Sequence, residues 1–167
     1  MFTHTHLLID LIRGCAYNSY LELGVSDGLN IREIPLYAQR VIGVDVNDIV
    51  KDKNFEFYHC TTDEFFAFFK EEIDLVFIDA NHDIDFVKRD LLNSFTILSP
   101  NGLVVLHDTN PIDTRFVTHE TCSDAYKIVG YVKNECPYLN IVTLPWEVTG
   151  ISLVNRVTDM RIQKFYI

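Results

Sequence analysis

Along this chain the spacing of apolar residues changes period repeatedly, and each change marks an element. The clearest succession lies between Asp74 and Asn110. Leu75–Ile78 is an unbroken apolar run with a β-branched and aromatic bias, the pattern of a strand buried on both faces. It stops at Asp79, with His82 three residues further on. Helical spacing then takes over. Ile84, Val87, Leu91, Phe95 and Leu98 share one face, with Asp83 or Asp85 as N-cap. Pro100-Asn101-Gly102 predicts a turn, and Leu103–Leu106 a second buried strand that ends in His107-Asp108. Parallel strands joined by one short crossover helix usually lie side by side. That arrangement predicts Asp79, His82, His107 and Asp108 around one crevice at the carboxyl ends of neighbouring strands, where open α/β sheets bind ligands.

The rest of the chain follows the same grammar. Thr5 has the form of an N-cap, with Leu7, Leu8, Leu11 and Ile12 on one helical face and Gly14 as the stop. Tyr20–Val25 reads as a strand, followed by a helix that Pro35 keeps short. Arg40–Val46 is the next strand and carries Asp45 at its carboxyl end; Lys51–Asn54 is a polar connection and Phe55–Cys60 a third strand. Thr61-x-x-Glu64 has the form of a capping box opening a helix through Lys70, whose Phe65, Phe66, Phe68 and Phe69 read as core. Pro111–Thr121 lacks periodicity and predicts a loop over the crevice. Ser123 is placed to cap a helix to about Glu135, with Tyr126, Ile128 or Val129, and Val132 facing in, and Pro137 ending it. Leu139–Leu144 and Ile151–Val157 are separated by too few residues for a crossover helix, so they form an antiparallel pair. The prediction is an α/β fold in one domain over residues 1–167: a seven-stranded, mostly parallel sheet with one antiparallel strand and helices on both faces.

Composition narrows the partners. The chain has 167 residues, 48% of them hydrophobic, enough for one full core. Its 14 Lys+Arg against 24 Asp+Glu give a net charge of −10 with no basic cluster, which argues against nucleic acid and against an anionic membrane surface. Cys15, Cys60, Cys122 and Cys136 show no CxxC spacing and suit reduced thiols. With neither a signal-peptide pattern nor a membrane-length apolar run, the expectation is a soluble, cytoplasmic protein; a homo-oligomer is compatible with it.

Glu22-Leu23-Gly24-Val25-Ser26-Asp27-Gly28 is a strand, a glycine-containing turn and a helix start. Gly24 permits close backbone approach to a ligand and Gly28 a close helix N-terminus, although an ordinary βα turn uses glycine too. Asp45, at the end of the next strand, adds a carboxylate that accepts both hydroxyls of a ribose. A dinucleotide fingerprint needs three glycines as GxGxxG, and only two stand here.

With ELGVSDG, VIGVDV, the Thr61-Thr62-Asp63-Glu64 junction, FIDANH and VVLHDTNP in order over nearly its whole length, the chain resembles the class I S-adenosylmethionine-dependent methyltransferases. Within them it is similar to a small group with FID-x-x-H and HD-x-NP signatures, related to sugar and catechol-type O-methyltransferases. The resemblance implies S-adenosylmethionine as cofactor, with Glu22, Gly24 and Gly28 along its methionine–ribose portion and Asp45 on the ribose. Thr61, Thr62 and Asp63 would lie near the adenine, and Asp79 in the same crevice; Ser26 and Asp27 are candidates by position.

Asp79 and Asp108 end adjacent strands, and carboxylates that close either share a proton or hold a cation. Catechol-type enzymes place a metal-binding Asp at both positions, an Asn after the second and a lysine base three residues after the first. The resemblance therefore makes Asp79 and Asp108 candidate ligands of Mg²⁺ and His82 the candidate base, with Asp108 beside it as the second catalytic residue. Here Thr109 follows Asp108 in place of Asn, and His107 precedes it. His82 titrates near neutrality and suits a base, although loop histidines also serve as caps or face solvent. His107 reads as a structural histidine bonded to loop backbone; His4, His6, His59 and His119 have no visible constellation. The expected activity is O-methylation of a small-molecule acceptor such as a sugar hydroxyl. Its rivals are a non-catalytic S-adenosylmethionine-binding module or partner subunit and a nucleotide-dependent oxidoreductase.

Overall fold

The computed structural model describes residues 3–48 and 52–157. Among the described residues the apolar runs become seven strands. They are β1 (Ser19–Leu23), β2 (Arg40–Asp45), β3 (Glu56–His59), β4 (Ile73–Ile78), β5 (Leu98–His107), β6 (Leu139–Leu144) and β7 (Ile151–Arg156). They form one sheet in the order β3-β2-β1-β4-β5-β7-β6. β1 to β5 pair in parallel, while β7 runs antiparallel to both β5 and β6. The strand order reverses between β1 and β4, which opens a crevice at their carboxyl ends. No helix among the described residues is long and apolar enough to cross a membrane.

Strand periodicity divides the interior into two layers. Leu21, Leu23, Val76 and Ile78 point to one face, where α3 (Thr62–Phe68), α4 (Ile84–Ile97) and α5 (Ile128–Glu135) add Phe65, Leu91 and Ile128. Tyr20, Leu75 and Phe77 point to the other, covered by Leu8 and Ile12 of α1 (His4–Cys15) and Ile31 of α2 (Leu29–Glu33). Both layers are apolar, so the strands read as continuous apolar runs. In α3 the expected capping box forms: Glu64 N donates to Thr61 Oγ1 (3.2 Å) and Thr61 N to Glu64 Oε2 (2.9 Å). Phe65, Phe66 and Phe69 are buried as expected, whereas Phe68 points outward and is 56% exposed.

Several boundaries differ from the sequence reading. α1 is capped by Thr3; Thr5 is buried and donates to Asn30 Oδ1 (2.5 Å). The left-handed stop of α1 is Ala16 (φ 55°), and Gly14 remains helical. Pro100-Asn101-Gly102 lies within β5 as an irregularity between the Ile73–Leu98 and Leu75–Leu103 pairs, so the strand starts directly after α4. Ser123 sits in the left-handed region (φ 44°) and caps nothing; a 3-10 turn, Ala125–Lys127, precedes α5. Of the polar connection at Lys51–Asn54, Lys51 lies outside the described residues.

The direct passage from α4 into β5 leaves the last helical carbonyls without a turn of their own to satisfy them. Arg156 of β7 does so. Its guanidinium donates to Phe95 O (2.6 Å), Leu98 O (3.1 Å) and Ser99 O (3.0 Å) and lies over the Phe95 ring. Arg156→Ala should lower unfolding stability by ~1.5–3 kcal/mol, the range for charge-assisted hydrogen bonds, and Arg156→Lys should restore only part, having lost the planar fork. Denaturant titration of the three proteins checks this.

Candidate active site

The site begins where β1 ends. Gly24 adopts φ +85°, and a Cβ there would stand 2.2 Å from the Asp79 carbonyl oxygen. Gly24 N donates to Val44 O and Asp79 N to Leu23 O, both at 2.9 Å, so the ends of β2, β1 and β4 are tied side by side. A cavity of about 830 Å³ opens above this tie. Gly24, Ser26 and Asp45 line one end, Cys60, Thr61 and Thr62 the side, and Asp79 with the Ala80–Asp83 loop the other end. Phe86 and Asp90 of α4 and His119 and Glu120 of the expected covering loop complete it.

Asp45 does more than face the cavity. Its Oδ2 accepts from Val25 N (2.8 Å) and Ser26 N (2.9 Å), and its Oδ1 from Asn47 N (2.8 Å). A carboxylate offers about four acceptor positions, so about one remains for a ligand once the backbone has taken three. The residue is only 9% exposed because it also clamps the loop after β1.

At the far end four side chains close into one network. His82 Nε2 is 3.3 Å from Asp79 Oδ1, and its Nδ1 contacts both Thr121 O and Asp108 Oδ2 (3.3 Å). His107 Nδ1 lies 3.2 Å from Asp79 Oδ1 and 3.0 Å from Asp108 Oδ1. The expected crevice grouping therefore forms, with one correction: His107 is bonded to the two carboxylates, not to loop backbone. His4 is a second correction, since it contacts Glu147 (3.2 Å) and packs edge-on against the His107 ring. Burial opposes the charge on His107, but Asp108 and Asp79 outweigh it and push its pKa up to about 10. The Asp79 hydrogen bond, against burial, raises His82 as well. Burial works against the ionised carboxyls of Asp79 and Asp108, yet the histidines hold both below the usual carboxylate range. Each carboxylate is thus paired with both imidazoles.

The sequence matches the family described as "Methyltransferase domain" over residues 21–109, just over half of the chain and every strand around the cavity. The chain belongs to this family. Among curated proteins none matches the sequence significantly. Solved structures share the fold at low identity. SAH-bound methyltransferase PaMTH1 from Podospora anserina superposes with TM-score 0.71 at 14% identity, covering 95% of this chain and 80% of that one. The O-methyltransferase TomG from Streptomyces achromogenes, in complex with SAM, gives 0.68 at 12%, covering 93% and 80%. An O-methyltransferase from Bacillus cereus in complex with SAH gives 0.67 at 13%, covering 92% and 80%. The protein is thus a class I, S-adenosylmethionine-dependent methyltransferase, with the seven-stranded, mostly parallel sheet and one antiparallel strand that the sequence implied.

Three of the expected cofactor residues in this methyltransferase lie away from the cavity. Glu22 alternates to the α1 side of the sheet and is 1% exposed, accepting from Tyr20 OH (2.8 Å) and Asn30 Nδ2 (3.4 Å). Gly28 opens α2 with φ +78°, and a Cβ there would meet the Arg32 guanidinium at 3.1 Å. Asp63 faces solvent in an ion pair with Arg89 (3.1 Å). Asp27 caps its own turn through Leu29 N (3.2 Å). Conversely, Asp90 is 1% exposed, lines the cavity and has no hydrogen-bond partner at Oδ1, while burial pushes its pKa up to about 6. An acidic residue between the inward-facing Val87 and Leu91 was the sequence signal for it.

Glu22 gives a pH-dependent prediction. Burial raises its pKa from the ordinary 4.5 to about 8, with Tyr20 and Asn30 opposing. Between those values the folded protein keeps a proton that the unfolded chain has released. The stabilising contribution is complete below the unfolded value and is lost as pH rises through the folded one. Glu22→Gln, which stays neutral, should therefore gain stability relative to wild type from about pH 5 to about pH 8, by on the order of 1–3 kcal/mol. Thermal unfolding across that range tests it.

Proposed function

We propose that this methyltransferase transfers a methyl group to a hydroxyl of a small molecule, a sugar being the class its motifs resemble. Cofactor would lie along the cavity from Asp45 to Asp79, and His82 would take the acceptor proton. The observation that carries the reading is the His82–Asp79–His107–Asp108 network, whose His82 and Asp79 line one end of a cavity with the Gly24–Asp45 turn at the other. Its support is the co-occurrence of a cavity of about 830 Å³, a carboxylate with a spare acceptor position, and an imidazole beside two carboxylates. The matched B. cereus and S. achromogenes proteins are O-methyltransferases bound to SAH and SAM.

When bound, S-adenosylmethionine supplies an electrophilic methyl on a sulfonium. The chain's own task is to position the acceptor oxygen in line and remove its proton. Thr121 O fixes His82 through Nδ1–H, which leaves Nε2 as the basic atom. Asp79, 3.3 Å from Nε2, stabilises the imidazolium that forms there. Gly24 and the backbone bonds of Asp45 hold the cofactor end of the cavity; Thr62, hydrogen-bonded to Asp90, and the open Oδ1 of Asp90 suit an exocyclic amine donor. Mg²⁺ fits the Asp79–His82–Asp108 trio poorly. That ion prefers an octahedron of oxygens, whereas the third donor here is an imidazole. The Thr109 hydroxyl, at the position of the catechol-type Asn, is taken by Ser152 Oγ (2.8 Å).

His82→Ala should retain S-adenosylhomocysteine binding but lose ~10²–10⁴ in turnover. Because the Asp79 hydrogen bond raises the His82 pKa, wild-type kcat/KM should climb with pH through a value above the ordinary 6.5, and the climb should vanish in the mutant. Methyl transfer to a panel of sugars and catechols, with cofactor binding by calorimetry, measures both. Added Mg²⁺ should leave turnover unchanged. Tight cofactor binding without transfer to any acceptor would instead favour a non-catalytic binding module.

Asp45→Ala should weaken S-adenosylhomocysteine binding by roughly ten- to a hundredfold, the equivalent of one charge-assisted hydrogen bond. It should also lower stability, since Val25 N and Ser26 N lose their acceptor. Calorimetric titration reads the first effect and thermal unfolding the second; unchanged affinity would remove Asp45 from the ribose site.

A further inference from the structure

We propose that His4, His107 and Glu147 form a transition-metal site, of the Zn²⁺ class, on the α1 side of the active centre. The three residues come from the first turn of α1, the end of β5 and the loop before β7. Their ligand atoms all lie within 4.8 Å of one another. His4 Nδ1 is 3.2 Å from Glu147 Oε2, and His107 Nε2 is 3.9 Å from the same oxygen. Donors at ~2.0–2.1 Å in a tetrahedral site stand roughly 3.3–3.5 Å apart, so closure needs only small side-chain movements. Two imidazoles and one carboxylate suit zinc or cobalt better than magnesium.

A second observation points to the same occupant. Metal-binding histidines donate their other ring N–H to a carboxylate or carbonyl, which fixes the ring and the tautomer. His107 meets that requirement: Nδ1 faces Asp108 Oδ1 (3.0 Å) and Asp79 Oδ1 (3.2 Å), and Nε2 points away from them toward Glu147. The His4 ring is held by stacking on Phe77 (5.7 Å) and by the edge of His107 (4.9 Å). A bare His4–Glu147 ion pair would use two of these groups and leave the direction of His107 Nε2 unexplained. On binding, the cation takes the lone pairs of His4 Nδ1, His107 Nε2 and Glu147. Any proton on the two nitrogens passes to solvent, and the His107 Nδ1–H bond to Asp108 is retained. Three protein ligands leave one position for water. The site is distinct from the Asp79–His82–Asp108 trio and shares no residue with it; Asp108 and Asp79 act as its outer partners.

The test uses the untagged full chain, stripped with chelator, titrated with Zn²⁺ by calorimetry and with Co²⁺ by visible absorption. Wild type should bind one equivalent. The Co²⁺ form should show ligand-field bands of a low-coordinate nitrogen–oxygen site without the near-ultraviolet band of a thiolate. Asp108→Asn should weaken binding by about 10–100-fold, as expected for an outer partner. His4→Gln and Glu147→Gln should each weaken it by more than that. His82→Ala should leave affinity unchanged. Glu147 is solvent-accessible, so Glu147→Gln keeps the test decisive even if His4→Gln disturbs α1. Failure of the wild type to bind either ion would overturn the proposal. So would binding that survives Glu147→Gln but is lost in His82→Ala, which would locate the cation among Asp79, His82 and Asp108.

Discussion

The close crossing of Gly24 beneath Asp79 is the constraint on which the site depends. A side chain at Gly24 would occupy the space of the Asp79 carbonyl, and the left-handed backbone there is one that glycine adopts without cost. With that contact made, β1 ends level with β4, and the chain turns away where the strand order reverses. Asp45 then locks the turn from the side of β2 by accepting from Val25 N and Ser26 N. The cavity is the space left between these two fixed ends, so its dimensions follow from backbone geometry more than from side-chain choice.

Charge is arranged around the same crossing. The register of β4 and β5, Ile78 opposite Leu106, brings Asp79 level with His107, and Asp108 follows one residue on. Two carboxylates at that separation would repel in a half-buried setting, and His82 and His107 relieve the repulsion from opposite sides. Each imidazole is stabilised in its charged form as a consequence. Asp108 adopts φ 60°, a conformation uncommon for a residue with a side chain.

The sheet itself separates different kinds of chemistry. Side chains on the α1 face include a buried, mutually hydrogen-bonded Glu22–Tyr20–Asn30 group, and the cavity opens beyond the strand ends. His107 stands at the boundary. One ring nitrogen faces the Asp79 and Asp108 carboxylates, and the other meets residues brought by α1 and by the loop before β7. Through that one ring the N-terminal helix is mechanically connected to the active centre.

Much of this was determined by the sequence alone. Buried parallel strands need continuous apolar runs, and crossover helices need amphipathic ones, so seven strands, the parallel order and the antiparallel end were legible from local periodicity. The grouping of Asp79, His82, His107 and Asp108 was legible for the same reason, because adjacent strand ends bring their next residues together. The tertiary structure decided what local pattern cannot carry. Glu22 is turned to the closed face by strand alternation, although its motif places it beside the glycines. Asp63 is drawn outward by Arg89, and Asp90 is turned inward by the way α4 packs over α3. His4 joins Glu147 across most of the chain because α1 folds back over the sheet. Such pairings depend on the relative placement of elements distant in sequence, and that placement is set by packing of whole faces, not by the spacing of any one segment.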